Sequence, residues 1–149
     1  MPTGLGKTYI AILLTAYTLQ SKEKKVLVLA PTKPLAEQHL KSFSEILNIE
    51  KESFSLLTGT VSPIKREDLY TESLVIIATP QVIENDILTG KIDLDEFGLI
   101  IFDEAHRATG DYAYTYIAEK AISKDIRILG LTASRSEERR VGKECRSRW

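Results

Sequence analysis

The sequence predicts an α/β protein whose mostly parallel sheet is covered by helices on both faces. Five short apolar runs are separated by stretches with helical periodicity; the runs are residues 26–30, 54–57, 74–78, 99–102 and 128–131. Apart from the weaker run 54–57, which contains Ser55, the runs are continuously apolar, which is typical of strands that are buried on both sides of a sheet. The alternation of strands with helix-length segments favours parallel pairing through helical crossovers.

Helical patterns are predicted between the apolar runs, at residues 7–20, 34–47, 80–88 and 112–122. A chain of 149 residues is expected to form one domain with a sizeable buried core. No apolar run reaches the roughly 20 residues that a membrane span needs, and no secretory signal is visible. A cytoplasmic location is therefore the default expectation.

Charge is unevenly distributed along the chain, although the formal net charge is only -1. Residues 135–149 contain six basic and three acidic side chains, so residues 1–134 contain 14 basic and 18 acidic ones. Bulk charge therefore does not indicate nucleic-acid binding, and any such function must depend on local motifs. The single cysteine, Cys145, excludes a disulfide framework within the chain and a metal site built from several thiolates.

The first chemical motif is a glycine-rich segment near the N-terminus that runs into a helical pattern. Glycines let the backbone turn so that its N–H groups point at phosphate oxygens, and the positive end of a following helix favours the same anion. Lys7 would reach the β- and γ-phosphates, and Thr8 would ligate Mg²⁺. The predicted nucleotide-binding residues are Thr3, Gly4, Leu5, Gly6, Lys7 and Thr8. A glycine-rich turn that merely caps a helix is the alternative.

The second chemical motif is the acidic pair Asp103 and Glu104, which directly follows a strong apolar run. Ligands of open α/β sheets bind at the carboxyl ends of the strands. Asp103 would hold Mg²⁺, for which one or two carboxylates suffice, and Glu104 would orient and deprotonate the attacking water. A solvated loop is the alternative for this pair alone. Together with the phosphate motif, the pair indicates hydrolysis of a nucleoside triphosphate.

The histidines and tyrosines receive weaker predictions. His106 is predicted to couple the nucleotide site to the rest of the protein, with a packing role as the alternative. His39 is predicted to be structural or at the surface, because no other histidine or cysteine lies at ligand spacing. Tyr112, Tyr114 and Tyr116 are two residues apart and do not share a helix face, so packing is favoured over a base-stacking strip.

Six strings, taken in order and spacing, resemble the first RecA-like domain of superfamily-two helicases. They span nearly all of residues 1–134 and are residues 2–8, 30–35, 57–59, 78–86, 102–108 and 130–134. Within that group the chain looks most like the archaeal Hef helicase and its FANCM relatives, which process stalled replication forks. Dicer and the RNA-sensor helicases share much of the pattern, and residues 81–86 and 105–108 favour the Hef type.

The resemblance assigns further roles. It implies ATP and Mg²⁺ as cofactors and places Lys7, Asp103, Glu104 and His106 in the catalytic set. Three strand-end segments would contact the nucleic-acid backbone through Pro31, Thr32, Lys33, Thr58, Gly59, Thr79, Pro80 and Gln81. Each of these segments alone is also an ordinary turn or helix cap. A fourth segment resembles the motif that couples hydrolysis to strand movement, and its residues are Thr132, Ala133 and Ser134.

The resemblance therefore implies a fragment of an ATP-dependent DNA helicase or translocase that moves on forked or branched DNA. A second RecA-like domain would supply the arginine finger, so this chain alone is expected to have little or no ATPase activity. Two alternatives remain open, namely an RNA-dependent ATPase of the Dicer or RNA-sensor type and an inert or binding-only module.

Both ends of the chain depart from the family pattern. We predict that residues 1–134 form a partial helicase ATP-binding domain and that residues 135–149 are a non-native tail derived from a sequencing adapter. A genuine basic tail that binds nucleic acid is the alternative. The strand that feeds the phosphate loop in the family has no counterpart before Met1. The first strand is therefore expected to be missing and the fragment to be poorly stable.

Overall fold

Helices and strands alternate along the chain, as the sequence predicts. A computed structural model describes residues 3–59, 61–103 and 112–131, with the backbone alone described for residues 3–7 and 63. The helices are α1 (Thr3–Tyr17), α2 (Lys33–Ile46), α3 (Pro63–Glu72), α4 (Pro80–Leu88) and α5 (Tyr112–Ser123). The strands are β1 (Lys25–Leu29), β2 (Phe54–Leu57), β3 (Val75–Ala78), β4 (Phe97–Phe102) and β5 (Arg127–Gly130). Short helical turns, Thr18–Lys22, Lys51–Ser53 and Leu94–Glu96, precede β1, β2 and β4.

The five strands form one sheet in the order β2-β3-β1-β4-β5, and every pairing is parallel. The first strand in sequence therefore lies at the centre of the sheet, between two strands that follow it in the chain. Leu27 pairs with Ile76 on one side and with Ile100 on the other. Because all strands run the same way, all of their carboxyl ends lie at one edge of the sheet.

Alternate side chains of the strands enter two hydrophobic cores, one on each face of the sheet. One core joins Leu27, Ile76 and Ile100 to apolar residues of α4 and α5. The other joins the strand residues between them to α1 and α2, including Ile12 and Phe43. A sheet covered on both faces explains why its strands are continuously apolar. No helix among the described residues is long and apolar enough to cross a membrane.

Most predicted elements are confirmed, within one or two residues at their ends. The predicted start of the first helix near Lys7 is wrong, because α1 begins at Thr3 and includes the backbone of Gly4 and Gly6. A helix can propagate through glycine because the cost, about 1 kcal/mol relative to alanine, competes with one new hydrogen bond per added residue. The first four N–H groups of a helix have no intrahelical partner. The backbone N–H groups at the start of α1 therefore still point out of the N-terminal end of the helix.

Helix α3 was not predicted, because its inward-facing positions are mixed: Leu69 packs against the core, but a charged residue is buried there as well. Its buried side chains include Arg66 and Tyr70, which are four residues apart, whereas Ile64 is 79% exposed. A search for hydrophobic periodicity therefore finds nothing here. Ser62 caps the helix by accepting a hydrogen bond from the Lys65 N–H at 3.3 Å. A serine followed by proline is a helix-start signal that could have revealed α3.

Gly98 permits a close approach between β4 and the segment that leads into β1. A Cβ atom built on Gly98 would lie 2.7 Å from Lys24 Cβ and 2.9 Å from Thr18 Cγ2. Gly59, in contrast, has no heavy atom within 4 Å of the corresponding position.

We predict that Gly98→Ala lowers the free energy of unfolding by about 1–3 kcal/mol, because the added methyl group overpacks this contact. Urea unfolding followed by circular dichroism measures the change. Gly59→Ala is the matched control and should alter the midpoint little. Equal midpoints for the two variants would contradict this account of Gly98.

Candidate nucleotide and nucleic-acid site

The carboxyl edge of the sheet is fixed by backbone hydrogen bonds that continue one residue past the strands. Four residues that directly follow a strand each donate an N–H to the last carbonyl of a neighbouring strand. The bonds are Ala30 to Ala78 (3.0 Å), Thr79 to Leu57 (3.3 Å), Asp103 to Leu29 (2.8 Å) and Leu131 to Phe102 (2.8 Å). Segments far apart in sequence are thereby held at a common edge, where an open α/β sheet binds ligands.

Asp103, the predicted Mg²⁺ residue, is held by a histidine from another element. Its Oδ2 lies 2.7 Å from Nε2 of His39, and the two side chains are only 14% and 10% exposed. An ionised carboxylate can only accept, so the imidazole Nε2–H donates. The His39 ring also has an apolar neighbour, because it packs edge-on against the Phe43 ring with the two centroids 6.2 Å apart.

The burial of His39 agrees with the structural alternative of its prediction, whereas the contact with Asp103 was not predicted. His39 is buried, with 8% of its surface exposed, and it joins α2 to the end of β4. Sequence spacing could not reveal the contact, since the two partners are 64 residues apart. One available signal was a lone histidine on the apolar side of a helix, four residues before the buried Phe43.

Tyr114 holds the same strand end through the backbone. Its side chain is fully buried, and its hydroxyl donates to the carbonyl oxygens of Asp103 at 2.6 Å and of Leu29 at 3.3 Å. Its ring packs edge-on against Phe102, with centroids 5.3 Å apart. Tyr112, by contrast, is 91% exposed. The prediction that the tyrosines do not form one strip is confirmed for this pair.

The predicted nucleotide-binding residues lie in the first turns of α1. Thr8 is half-buried, and Ile12 of the same helix packs on the face of the sheet that α2 also covers. The side chains of residues 3–7 are outside the description, as are Glu104, His106 and the coupling residues Thr132, Ala133 and Ser134. Their predicted roles stay predictions, and so does the domain boundary after Ser134.

The eight predicted nucleic-acid contacts follow β1, β2 and β3 at the carboxyl edge. They differ in exposure: Thr32, Lys33, Gly59 and Gln81 are exposed, Pro31 and Thr79 are half-buried, and Thr58 and Pro80 are buried. The exposed members surround the starts of α2 and α4 and the turn after β2. Side chains of Thr58 and Pro80 are therefore poor candidates for direct contact.

A buried charged cluster, which the sequence did not predict, lies beneath these segments. Arg66 of α3 donates from Nε to Oδ2 and from Nη2 to Oδ1 of Asp86 in α4, and both distances are 2.7 Å. Arg66 is 5% exposed and Asp86 fully buried. The hydrogen bond with Asp86 raises the pKa of the Arg66 guanidinium above its ordinary value.

The cluster is completed by two further hydrogen bonds. Nη1 of Arg66 donates to the carbonyl oxygen of Val61 at 2.6 Å, and the Tyr70 hydroxyl donates to Asp86 Oδ2. Burial, reinforced by the bond to Asp86, raises the pKa of the Tyr70 phenol well above its usual range, so the hydroxyl remains a donor. We call Arg66, Tyr70 and Asp86 the buried clamp.

Comparison with known proteins identifies the family. Residues 1–136 match the family model described as "Type III restriction enzyme, res subunit". The chain is 54% identical over 134 residues to the putative ATP-dependent RNA helicase MJ1505 of Methanocaldococcus jannaschii, covering 90% of this chain and 17% of that protein. It is 42% identical over 137 residues to the ATP-dependent DNA helicase mph1 of Sclerotinia sclerotiorum, covering 90% of this chain and 11% of that protein. The chain thus spans less than a fifth of either relative.

Solved structures support the same assignment. The Pyrococcus furiosus Hef helicase domain superposes with a TM-score of 0.84 at 45% identity, covering 97% of this chain and 31% of that one. The UvsW helicase of bacteriophage T4 superposes with a TM-score of 0.70 at 25% identity, covering 90% of this chain and 45% of that one. The chain therefore belongs to the type III restriction enzyme res-subunit family and has the RecA-like fold of superfamily-two helicases.

Proposed function

We propose that this chain is the ATP-binding part of the motor of an ATP-dependent DNA helicase or translocase. The observation that carries the proposal is the carboxyl edge of the sheet, where Asp103 and three candidate backbone-contact segments are held together. The names of the mph1 relatives and of the Hef structure support DNA as the substrate. The name of the Methanocaldococcus relative supports RNA, so the substrate needs a direct test.

Nucleotide binding is assigned to the start of α1. The unpaired N–H groups of the first helical turn and the positive end of the helix dipole favour phosphate oxygens. Lys7 adds a cationic donor for the β- and γ-phosphates, and Thr8 adds a hydroxyl ligand for the metal. Glu104 is assigned the attacking water, and His106 is assigned to coupling.

The carboxylate oxygens of Asp103 are suitable ligands for Mg²⁺. This ion is usually bound through one or two carboxylates together with substrate phosphates, and it keeps several waters. Consistently, the described residues contain no group of three or more acidic, histidine or cysteine side chains that could form an all-protein cage. A carboxylate has about four lone-pair sites, so the bond from His39 is compatible with a metal-bound water. Bound Mg²⁺ would neutralise charge on the phosphates.

The nucleic-acid contacts are assigned to Thr32, Lys33, Gly59 and Gln81, which are exposed. Helix N-termini, hydroxyl groups and a lysine recognise phosphate and sugar and carry no base sequence information. A motor that moves along any sequence requires such indifference. Helix α2 also carries His39, so the helix that would contact nucleic acid is hydrogen-bonded to the residue that would hold Mg²⁺.

The remaining parts of the proposal concern the complete protein. A second RecA-like domain in the same polypeptide would supply the arginine finger, and forked or branched DNA would be the preferred substrate. Thr132, Ala133 and Ser134 would couple hydrolysis to strand movement. A binding-only module is the competing function, and it too would bind nucleotide without hydrolysis, so only the complete protein separates the two.

We predict that the chain binds a fluorescent ATP analogue with Mg²⁺ but hydrolyses ATP at a negligible rate. Lys7→Ala should weaken binding roughly 10- to 100-fold, because a charge-assisted hydrogen bond contributes about 1.5–3 kcal/mol. Fluorescence titration measures the affinity, and Lys22→Ala, at the end of the same helical segment, is the control. Unchanged affinity in Lys7→Ala would sink the assigned phosphate site. Rapid DNA-stimulated turnover that Glu104→Gln abolishes would refute the need for a second domain.

We predict that Lys33→Ala weakens binding of single-stranded DNA and reduces the slope of log K against log salt by about 0.7, the value for one phosphate contact on a single strand. Fluorescence anisotropy at several salt concentrations measures both quantities. Lys41→Ala, an exposed lysine of the same helix, should leave the slope unchanged. Parallel titrations with RNA of the same sequence decide the substrate, and tighter RNA binding would reverse the DNA assignment.

We predict that His39→Leu raises the Mg²⁺ concentration needed for analogue binding roughly 10- to 100-fold, the usual effect of removing an outer partner of a metal ligand. It should also lower the free energy of unfolding by about 1.5–3 kcal/mol, because Asp103 loses a charge-assisted bond. His39→Gln keeps an N–H donor and should restore most of the Mg²⁺ response. Gln38→Leu is the exposed neighbouring control. A normal Mg²⁺ requirement in His39→Leu would leave His39 a purely structural role.

A further inference from the structure

The buried clamp lies between two of the segments assigned to nucleic-acid contact. Val61, whose carbonyl oxygen accepts from Arg66, closes a turn by donating its N–H to the carbonyl oxygen of Thr58 at 3.1 Å. Asp86, the carboxylate partner, lies on α4, whose first residue is Pro80. One guanidinium therefore bonds both to the turn that contains Gly59 and to the helix that begins beside Thr79.

Further contacts join the buried clamp to the segment after α4 and to the hydrophobic core. The main-chain carbonyl oxygen of Asp86 accepts from the N–H groups of Lys91 at 2.8 Å and of Ile92 at 3.4 Å, which fixes the end of α4 as well. Tyr70 packs with the core beneath β3, and its hydroxyl reaches the same carboxylate as Arg66. Movement of α3, α4 or the turn would break at least one of these bonds.

Stability alone does not explain a buried ion pair. Removing two charges from water costs several kcal/mol per ion, and apolar side chains of similar volume often replace such a pair with no loss or with a gain in stability. What an ion pair adds is a directional requirement, because two parallel N–H···O bonds fix both the distance and the orientation of the partners. Here the ion pair fixes Asp86, near the end of α4, relative to the turn after β2, and the start of α4 is fixed only through the helix itself.

We propose that Arg66, Tyr70 and Asp86 are positioning residues that hold these two segments at the spacing of successive contacts on one nucleic-acid strand. This inference rests on the proposed function. Prepositioned contacts bind more tightly because less conformational freedom is lost on association. The exposed residues Gly59 and Gln81 touch the strand, and the clamp acts only through them.

The test replaces the clamp by an apolar pair. Arg66→Met combined with Asp86→Leu removes one positive and one negative charge and keeps similar side-chain volumes. The double variant should recover part of the free energy of unfolding that Asp86→Leu alone loses, since no unpaired buried charge remains. The recovery is incomplete because the neutral Tyr70 hydroxyl and the Val61 carbonyl lose their partners. The affinity of the double variant for a labelled oligo-dT of about 16 nucleotides, near the upper length that one binding groove covers, should nevertheless fall. We expect a roughly 5- to 10-fold loss for two contacts that are no longer prepositioned.

The matched control removes a second ion pair between the same elements. Glu67 of α3 and Lys91 after α4 form an exposed pair at 3.2 Å. Glu67→Leu with Lys91→Met makes the same change in charge, but this pair does not reach the turn. Its affinity for the oligonucleotide should stay within about twofold of the wild type, since exposed pairs contribute roughly 0–1 kcal/mol.

A second readout does not require nucleic acid. Amide hydrogen exchange at Val61 and Thr79, whose N–H groups are hydrogen-bonded, should accelerate in the Arg66→Met, Asp86→Leu variant, while the strand amides of Ile76 and Ile100 stay protected. Unchanged exchange at the turn, or unchanged affinity in a folded double variant, would overturn the positioning role. A wild-type chain that binds no oligonucleotide, or a Lys33→Ala variant that binds normally, would instead count against the proposed function.

Discussion

The parallel pairing of β1 with both β3 and β4 is the constraint on which the rest of the structure depends. Because β1 lies at the centre, the residues that follow it are adjacent to those that follow β3 and β4. Backbone bonds from Ala30 and Asp103 extend both pairings beyond the strands. The candidate nucleic-acid segment after β1 and the candidate metal residue after β4 are thus neighbours through backbone geometry alone. Side chains then refine an arrangement that the sheet has already made.

Two kinds of polar contact fix the side chains and segments at this edge. One kind holds a single residue, and the other connects separate segments. His39 and Tyr114 hold one residue, Asp103, by its carboxylate and by its carbonyl oxygen. The buried clamp holds segments, because its bonds connect α3, α4 and the turn after β2. The contacts of His39 and Tyr114 lie at the carboxyl edge, since both reach Asp103, which directly follows β4. Polar side chains are used where direction matters more than burial, since hydrogen bonds have preferred angles and apolar contacts do not.

The strands and most helices could be predicted because they obey simple periodicities. Apolar runs located the five strands of the described residues, although Ser55 interrupts the run of β2, and the residues that follow the runs located the candidate site. Helix α3 could not be found in this way, because its inward side chains include an arginine that is buried only together with the distant Asp86. The contact of His39 with Asp103 was hidden for the same reason. Pairings of polar residues across long sequence separations leave no periodic signal.

The central position of β1 also has a consequence for synthesis on the ribosome. The side chains of Val26, Leu27, Val28 and Leu29 are fully buried in the finished sheet, yet both neighbouring strands are made later. At about 5–20 residues per second, the ribosome needs roughly 2–14 s to add the segments through the starts of β3 and β4. During that time a strongly apolar strand has no ladder partner and resembles the segments that aggregate or recruit chaperones. The connectivity that gathers the site at one edge thus delays the protection of the central strand.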